Sequence, residues 1–132
     1  MDTGTRVEDR HGLRLLRLDG RTTVVATSDD VSDLVGGAWA AGADVVVVPV
    51  EGVAPAFFDL RSGLAGDVLQ KVTNYHVVLA VLGDVSALTA ASTSLRDLVR
   101  ETDRGVHAWF VPDDAALDER LQRLAASRAA RG

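Results

Sequence analysis

The sequence predicts an α/β fold, with a mixed five-stranded sheet and about four helices. Two observations lead to this prediction. Short apolar runs alternate with segments whose apolar residues recur at helical spacing, which is typical of β-α-β units. A pair of strands joined by a tight turn stands at the N-terminus and adds one antiparallel strand to an otherwise parallel sheet. The predicted order is β-β-α-β-α-β-α-β-α, with right-handed crossovers between the parallel strands.

The predicted hairpin opens this order. Its first strand, residues 13–18, partly alternates between apolar and polar side chains. Asp19 and Gly20 have the composition of a tight turn, and residues 22–26 supply the return strand.

The first helix follows three residues that can cap it, Ser28, Asp29 and Asp30, because their side-chain oxygens can accept bonds from unpaired backbone N–H groups. Its apolar stripe consists of Val31, Leu34, Val35, Ala38 and Trp39. Gly42 is placed to end it.

Three further strands alternate with three further helices. Residues 45–48 are four consecutive valines, which is typical of a strand buried on both faces. The later strands are expected at 76–82 and 106–111. The second helix is expected to begin near Gly63, the third to end at Gly105, and the fourth to be capped by Asp113 or Asp114. Their inward residues are Ala65, Val68, Leu69, Val72, Leu95, Leu98, Val99, Leu117, Leu121 and Leu124.

Length and composition indicate one soluble domain. The chain has 132 residues, of which 47% are hydrophobic and 25% are charged, and this length is typical of a single domain. We expect one domain over residues 1–132, with flexible ends at 1–11 and 128–132. No stretch has the apolar length of a membrane span, and the N-terminus does not resemble a secretory signal. We therefore expect a cytoplasmic chain, monomeric or homodimeric.

Charge and motifs argue against several function classes. The formal net charge is −5 and no basic cluster stands apart from acids, which argues against a nucleic-acid partner. Cysteine is absent, and His11, His76 and His107 lack the spacing of a metal site. No nucleotide-binding or nucleophile motif is present either. We expect no metal, no cofactor and no catalytic residue, although a site assembled from distant residues is left open.

Two adjacent aromatic residues form the first candidate for a functional surface. Phe57 and Phe58 stand in a loop before a helix, and adjacent residues of an extended segment point in opposite directions. One of them is expected in the core, and the other at a crevice or at a partner's surface.

The segment that begins with these residues resembles the bacterial domain-of-unknown-function 4180 family. The resemblance rests on residues 57–66, Leu69-Gln70-Lys71, Asn74-Tyr75, Leu79-Ala80, Gly83-Asp84, residues 94–97, Glu101, Arg104-Gly105 and Phe110-Val111. It runs from about Gly42 to the last helix. The family has no assigned activity, so the resemblance implies a relationship and no reaction.

The order of elements also resembles that of STAS domains, which include anti-sigma factor antagonists. In those domains a D-S-S-G-L turn opens a helix, and its first serine is phosphorylated. Here Ser62-Gly63-Leu64 matches the end of that turn, while Arg61 replaces the phosphorylated serine and Leu60 the aspartate. The resemblance implies a partner-binding face at this turn and its helix, and Ser62 is the candidate phosphorylation site.

Two hypotheses of function follow. The first is a small regulatory module that binds a protein partner. Its surface would consist of Phe57, Phe58, Arg61, Ser62, Gly63, Asp67, Gln70, Lys71 and Asn74. The alternative is a small-molecule binder or enzyme, because ligands of α/β sheets lie beyond the carboxyl ends of the strands. Its charged cluster would be Asp59, Arg61, Asp84, Arg96 and Asp97.

Overall fold

The computed structural model describes residues 5–18, 27–105 and 107–131. Five strands form one sheet in the order β1-β2-β3-β4-β5. They are β1 (Thr5–Arg10), β2 (Leu13–Leu18), β3 (Val45–Pro49), β4 (Val78–Leu82) and β5 (Ala108–Val111). β1 is antiparallel to β2, and every later pair is parallel. The predicted mixed five-stranded sheet is therefore confirmed.

Four long helices accompany the sheet within the described residues, as predicted. They are α1 (Ser28–Ala40), α3 (Leu64–Tyr75), α5 (Thr93–Arg104) and α6 (Asp114–Arg131). The described residues also contain two short helices, α2 (Pro55–Phe58) and α4 (Ser86–Ala91), and two 3-10 turns at Val50–Gly52 and Leu60–Ser62. The sequence did not predict α4, because this helix buries none of its residues and so has no apolar stripe.

The N-terminal hairpin differs from the predicted one. β2 is the predicted first strand, but its antiparallel partner is β1, which precedes it in the chain. The turn is made by His11 and Gly12, whose φ angles of 55° and 81° suit a two-residue hairpin. Residues 5–10 were expected in a flexible end and are instead paired with β2 along their whole length. The predicted turn at Asp19 and Gly20 and the predicted strand at 22–26 lie outside the described residues.

The start of α1 is fixed one residue before the predicted capping cluster. The Thr27 hydroxyl accepts the backbone N–H of Asp30 at 3.2 Å. In return, the Asp30 carboxylate accepts the N–H of Thr27 at 3.1 Å. This reciprocal pair is a capping box, and it satisfies two N–H groups that the helix itself leaves unpaired.

Helices cover the two faces of the sheet unequally. On the first face, α1 and α3 pack against alternate residues of β3 and β4, such as Val46, Val48 and Leu79, and Leu98 of α5 joins the edge of this core. On the second face, the intervening residues form a separate core with α6. That second core consists of Leu13, Leu15, Val45, Val47, Val78, Ala80, Trp109, Val111, Leu117 and Leu121. Residues of both cores come from the same strands because successive strand residues point to opposite faces.

The C-terminal end of α6 is held against the sheet. α6 continues to Arg131, so residues 128–131 are helical where a flexible end was expected. An Arg128 guanidinium nitrogen lies 2.6 Å from one carboxylate oxygen of Asp44. The other oxygen of Asp44 accepts the backbone N–H of Arg14 at 2.8 Å. Asp44 therefore links the end of α6 to the hairpin and to the start of β3.

A cluster of charged groups joins the hairpin to the start of α6. Arg17 donates a hydrogen bond to Asp114 at 3.0 Å and lies 3.2 Å from Glu8. One turn later, Asp118 is hydrogen-bonded to His11 at 3.0 Å. The hydrogen bond from Arg17 lowers the pKa of Asp114, and the hydrogen bond with His11 lowers that of Asp118. Both carboxylates are thus stabilised in their charged form.

Candidate functional site

The two phenylalanines divide into a core residue and a partly exposed one. Phe57 in α2 is 2% exposed and packs 6.4 Å, centroid to centroid, from Phe110 of β5. Phe58 is half-buried and meets the Phe57 ring edge-to-face at 5.2 Å. Phe57 belongs to the first core and offers no surface to a partner, contrary to its place in the predicted surface. Phe58 is partly accessible beside the turn that follows.

The turn at Arg61, Ser62 and Gly63 is exposed and held by local hydrogen bonds. The Asp59 carboxylate accepts the backbone N–H of Arg61 at 3.1 Å. The Ser62 hydroxyl accepts the N–H of Leu64 at 3.2 Å, at the first residue of α3. Gly63 caps this helix with a φ of 77°, a left-handed conformation that favours glycine. The structure thus gives the predicted turn a defined shape at the start of α3.

The predicted polar stripe lies along the outer side of α3. Gln70 donates a hydrogen bond from its amide nitrogen to Asn74 at 3.0 Å, and both side chains are exposed. Asp67 and Lys71, also four residues apart, are half-buried. Residues spaced by four lie on the same side of a helix, so the stripe has an outer row and a row beside it.

An exposed aromatic pair lies at the end of this stripe. Trp39 of α1 is 64% exposed, and Tyr75, the last residue of α3, is 43% exposed. Their rings meet edge-to-face, with centroids 6.4 Å apart and planes inclined by 67°. Tyr75 follows Lys71 by four residues, so the row of Asp67 and Lys71 continues into the aromatic pair. The side chain of Trp39 was expected in the core, and this prediction is wrong.

The sequence did not predict the exposed pair of Trp39 and Tyr75, because Trp39 was assigned to the apolar stripe of α1. Trp39 is adjacent to Ala38, which is fully buried, and neighbouring helix residues point about 100° apart. Trp39 therefore lies beyond the edge of the apolar stripe. The feature of the sequence that could have indicated its exposure is its position as the last member of that stripe.

The five residues of the alternative ligand cluster are all exposed. Asp59 and Arg61 lie between β3 and α3, Asp84 follows β4, and Arg96 and Asp97 lie near the start of α5. Among the described residues, no ion pair or side-chain hydrogen bond joins any two of these five side chains. They lie near the carboxyl ends of the strands, but they form no connected charged network.

Asp84 is a member of this cluster whose carboxylate forms a hydrogen bond that shifts its pKa. Its oxygen accepts the backbone N–H of Ser86 at 2.8 Å, and this bond lowers the pKa of Asp84. An aspartate with a lowered pKa stays ionised at neutral pH, whereas a general acid needs a raised one. Asp84 therefore stabilises the turn before α4 and is not suited to act as a general acid.

A second polar cluster lies at the β5 edge, and the sequence did not predict it. Arg120 of α6 donates one guanidinium hydrogen bond to the Asp103 carboxylate at 3.0 Å and another to the Asp103 carbonyl at 2.8 Å. The same guanidinium stands 5.0 Å from the centroid of the Trp109 ring. Three elements, α5, β5 and α6, contribute one residue each, so no local motif could have indicated this cluster.

Neither a membrane span nor a metal site is found in the described part of the chain. None of its helices has both the length and the apolar character needed to cross a bilayer. In the same residues, no three histidine, aspartate or glutamate side chains are grouped as metal ligands.

Comparison with known protein families shows which family the chain resembles. A family model described as "Domain of unknown function (DUF4180)" matches residues 10–121. This range includes the turn at 61–63, the stripe of α3, Trp39 and Tyr75, and all strands except most of β1. No curated protein and no solved structure matches the chain.

Proposed function

The chain belongs to the DUF4180 family, and we propose that it is a regulatory module that binds a protein partner through the outer side of α1 and α3. The aromatic pair of Trp39 and Tyr75 would form the apolar centre of this surface. The polar stripe of α3 and the turn at 61–63 would extend it. We call these residues the α1–α3 surface: Trp39, Arg61, Ser62, Gly63, Asp67, Gln70, Lys71, Asn74 and Tyr75.

The exposure of Trp39 and Tyr75 is the observation that carries the proposal. An aromatic ring left in water gives up the free energy that burial would provide, about 25 cal/mol for each Å² of apolar surface. Tryptophan and tyrosine are also the residues most enriched at energetically important positions of protein interfaces. Each has a polar group that can bond to a partner, while the ring supplies contact area. The two rings touch each other and so form one continuous target.

The polar residues give this surface the composition of an interface with a polar rim. α3 has 12 residues, which corresponds to a length of about 18 Å. Its stripe connects the exposed turn at one end with the aromatic pair at the other. Gln70 and Asn74 are hydrogen-bonded to each other, which restricts their orientation before a partner arrives. A restricted polar pair loses less conformational entropy on binding than two freely rotating side chains.

Ser62 offers a means of regulating this surface. Its hydroxyl is at an exposed turn directly before α3. A phosphate there would add nearly two negative charges, and the helix N-terminus would tolerate them. We expect phosphorylation to weaken binding to an acidic partner. The STAS resemblance, which rests on the order of elements, implies a partner face at the same turn.

Affinity capture from cells that natively express the chain tests the proposal. The test variant replaces both rings, Trp39→Ser with Tyr75→Ser, and the control is Leu88→Ser. Leu88 is also an exposed large apolar residue, but it lies in α4. We expect a partner that the wild type and the control capture and that the double variant loses by at least tenfold. Urea denaturation verifies that all three proteins are folded.

A second double variant tests how far the surface extends along α3. Arg61→Glu with Lys71→Glu reverses two charges at the turn and along α3, and we expect it to weaken capture of the same partner. The proposal fails if no protein is captured by the wild type. It fails equally if the ring variants retain everything that the control retains.

A further inference from the structure

A cavity of about 440 Å³ opens between α5, β5 and α6. It is lined by Asp103, Arg104, Gly105, Trp109, Arg120, Arg123, Leu124 and Ser127. Cavities that bind small molecules commonly have volumes of about 300–1,000 Å³. This one lies beside α6, the helix of the second face, whereas the α1–α3 surface belongs to helices of the first face. The two regions can therefore be altered separately.

The cavity lining is positively charged in an acidic protein. It contains three arginines and one aspartate, whereas the chain as a whole has a formal net charge of −5. Asp103 is already engaged, because one of its carboxylate oxygens accepts bonds from both Arg120 and the backbone N–H of Phe110. Asp103 and Arg120 neutralise each other, so the net positive charge of the lining comes from Arg104 and Arg123.

Arg120 is held in place before any ligand arrives. Its side chain is 18% exposed, its guanidinium is fixed by Asp103 at two points, and one side of it faces the Trp109 ring. A guanidinium has five N–H donors. Two of the five are used in these bonds, so donors of Arg120 remain for a ligand.

The other two arginines, Arg104 and Arg123, are exposed, and each forms an ion pair that is itself exposed to solvent. Arg104 lies 3.9 Å from Glu101, and Arg123 lies 2.6 Å from Glu119, in pairs exposed to solvent on both sides. Exposed pairs of this kind contribute between zero and about 1 kcal/mol, because water screens them. Arg104 and Arg123 can therefore exchange a surface carboxylate for an anion in the cavity at little cost.

We infer that this cavity binds a small organic anion whose carboxylate or phosphate group contacts Arg104, Arg120 and Arg123. An apolar or aromatic part of the ligand lies against Leu124 and the small part of the buried Trp109 side chain that lines the cavity. The Ser127 hydroxyl supplies a further hydrogen bond. Arginine suits this role because its planar fork matches the geometry of both carboxylate and phosphate oxygens.

The probe for this site is 1-naphthyl phosphate, which combines a ring with a phosphate. Binding is measured by calorimetry and by the indole N–H signals of Trp109 and Trp39 in NMR spectra of the full chain. We expect saturable binding that shifts the Trp109 signal and leaves that of Trp39 unchanged. Arg104→Glu with Arg123→Glu should weaken binding by at least tenfold. Arg96→Glu with Arg100→Glu, an equal charge change on exposed residues of α5, should leave it unchanged.

Three related compounds test separately the contributions of the anionic group and of the aromatic ring. 1-Naphthol lacks the anion and inorganic phosphate lacks the ring, so each should bind more weakly than the ester. 1-Naphthoate identifies the preferred anion by comparison with the ester. Absence of saturable binding by both aromatic anions would overturn the inference, as would naphthol binding as tightly as the ester. An equal loss in the Arg96 and Arg100 variant would overturn it as well, because the effect would then come from overall charge.

Discussion

The carboxylate of Asp103, in the last turn of α5, accepts a hydrogen bond from the backbone N–H of Phe110 at 3.0 Å. Phe110 belongs to β5, which has β4 as its neighbour and ends the described sheet. An N–H group on the outer side of an edge strand can pair with a strand of another molecule. Here a side chain satisfies it. The same carboxylate oxygen also holds Arg120, so Asp103 connects α5, β5 and α6.

Loss of this connection should destabilise the protein. We expect Asp103→Ala to lower the free energy of unfolding by about 1–3 kcal/mol, because it removes the acceptor of the Phe110 N–H and one of the two acceptors of the Arg120 guanidinium. Urea denaturation measures the change. Asp97→Ala is the control, since Asp97 is exposed on the same helix. Similar losses in the two variants would contradict a specific role for Asp103.

Two glycines should respond to alanine with opposite signs. Gly83, directly after β4, has a φ of 143°, and an added Cβ would stand 2.7 Å from a Val50 methyl group. We expect Gly83→Ala to lower the free energy of unfolding by about 1–3 kcal/mol, through overpacking and backbone strain. Gly66 lies within α3 with open space around it. Gly66→Ala should raise the free energy of unfolding by about 0.5–1 kcal/mol. Thermal unfolding of both variants checks the signs.

Phe57 and Phe58 should differ in their contribution to stability. We expect Phe57→Ala to lower the free energy of unfolding by about 3–5 kcal/mol, the range for a large residue removed from a core. Phe58→Ala should cost less, because Phe58 is only half-buried. Urea denaturation of the two variants measures both losses. Equal losses would show that the exposed fraction of a phenylalanine side chain does not determine its contribution to stability.

The hydrogen-bonded ion pair of Arg17 and Asp114 should make the stability of the protein depend on pH. A carboxylate whose pKa is lowered by folding stabilises the protein above its unfolded value, near 3.9, and this contribution is lost as the pH falls through the folded pKa. The pKa of Asp114 is lowered by its hydrogen bond from Arg17. Asp114→Asn should therefore destabilise the protein more at pH 7 than at pH 3, in urea denaturation at both values. An equal effect of Asp114→Asn at the two pH values would refute the assignment.

The order and type of the long elements could be predicted because each carries its own pattern. Four consecutive valines made β3 recognisable, and the spacing of Leu117 and Leu121 indicated α6. The hairpin could not be assigned in the same way. Asp19-Gly20 matched the favoured composition of a two-residue turn, whereas His11 in the left-handed region has no such signature. The pairing of β1 with β2 is local, but its turn residues lack the favoured composition, so a rule based on turn composition selected Asp19-Gly20 instead.

The same distinction applies to the site. The stripe of Gln70, Lys71 and Asn74 follows from helical periodicity, and the structure has it on the outer side of α3. The contact of Trp39 with Tyr75 joins two helices, and that of Arg120 with Asp103 joins α6 to α5. Such contacts depend on how the helices pack on the sheet, and periodicity within one helix gives no information about its neighbours.

The uneven cover of the sheet makes the second core depend on one late segment of the chain. All five described strands precede α6, and α6 is the helix of the second core. In a chain truncated before residue 114, Val45, Val47 and Val78 would lack the helix that buries them. Such a chain would present an apolar sheet face, a surface of the kind that promotes aggregation.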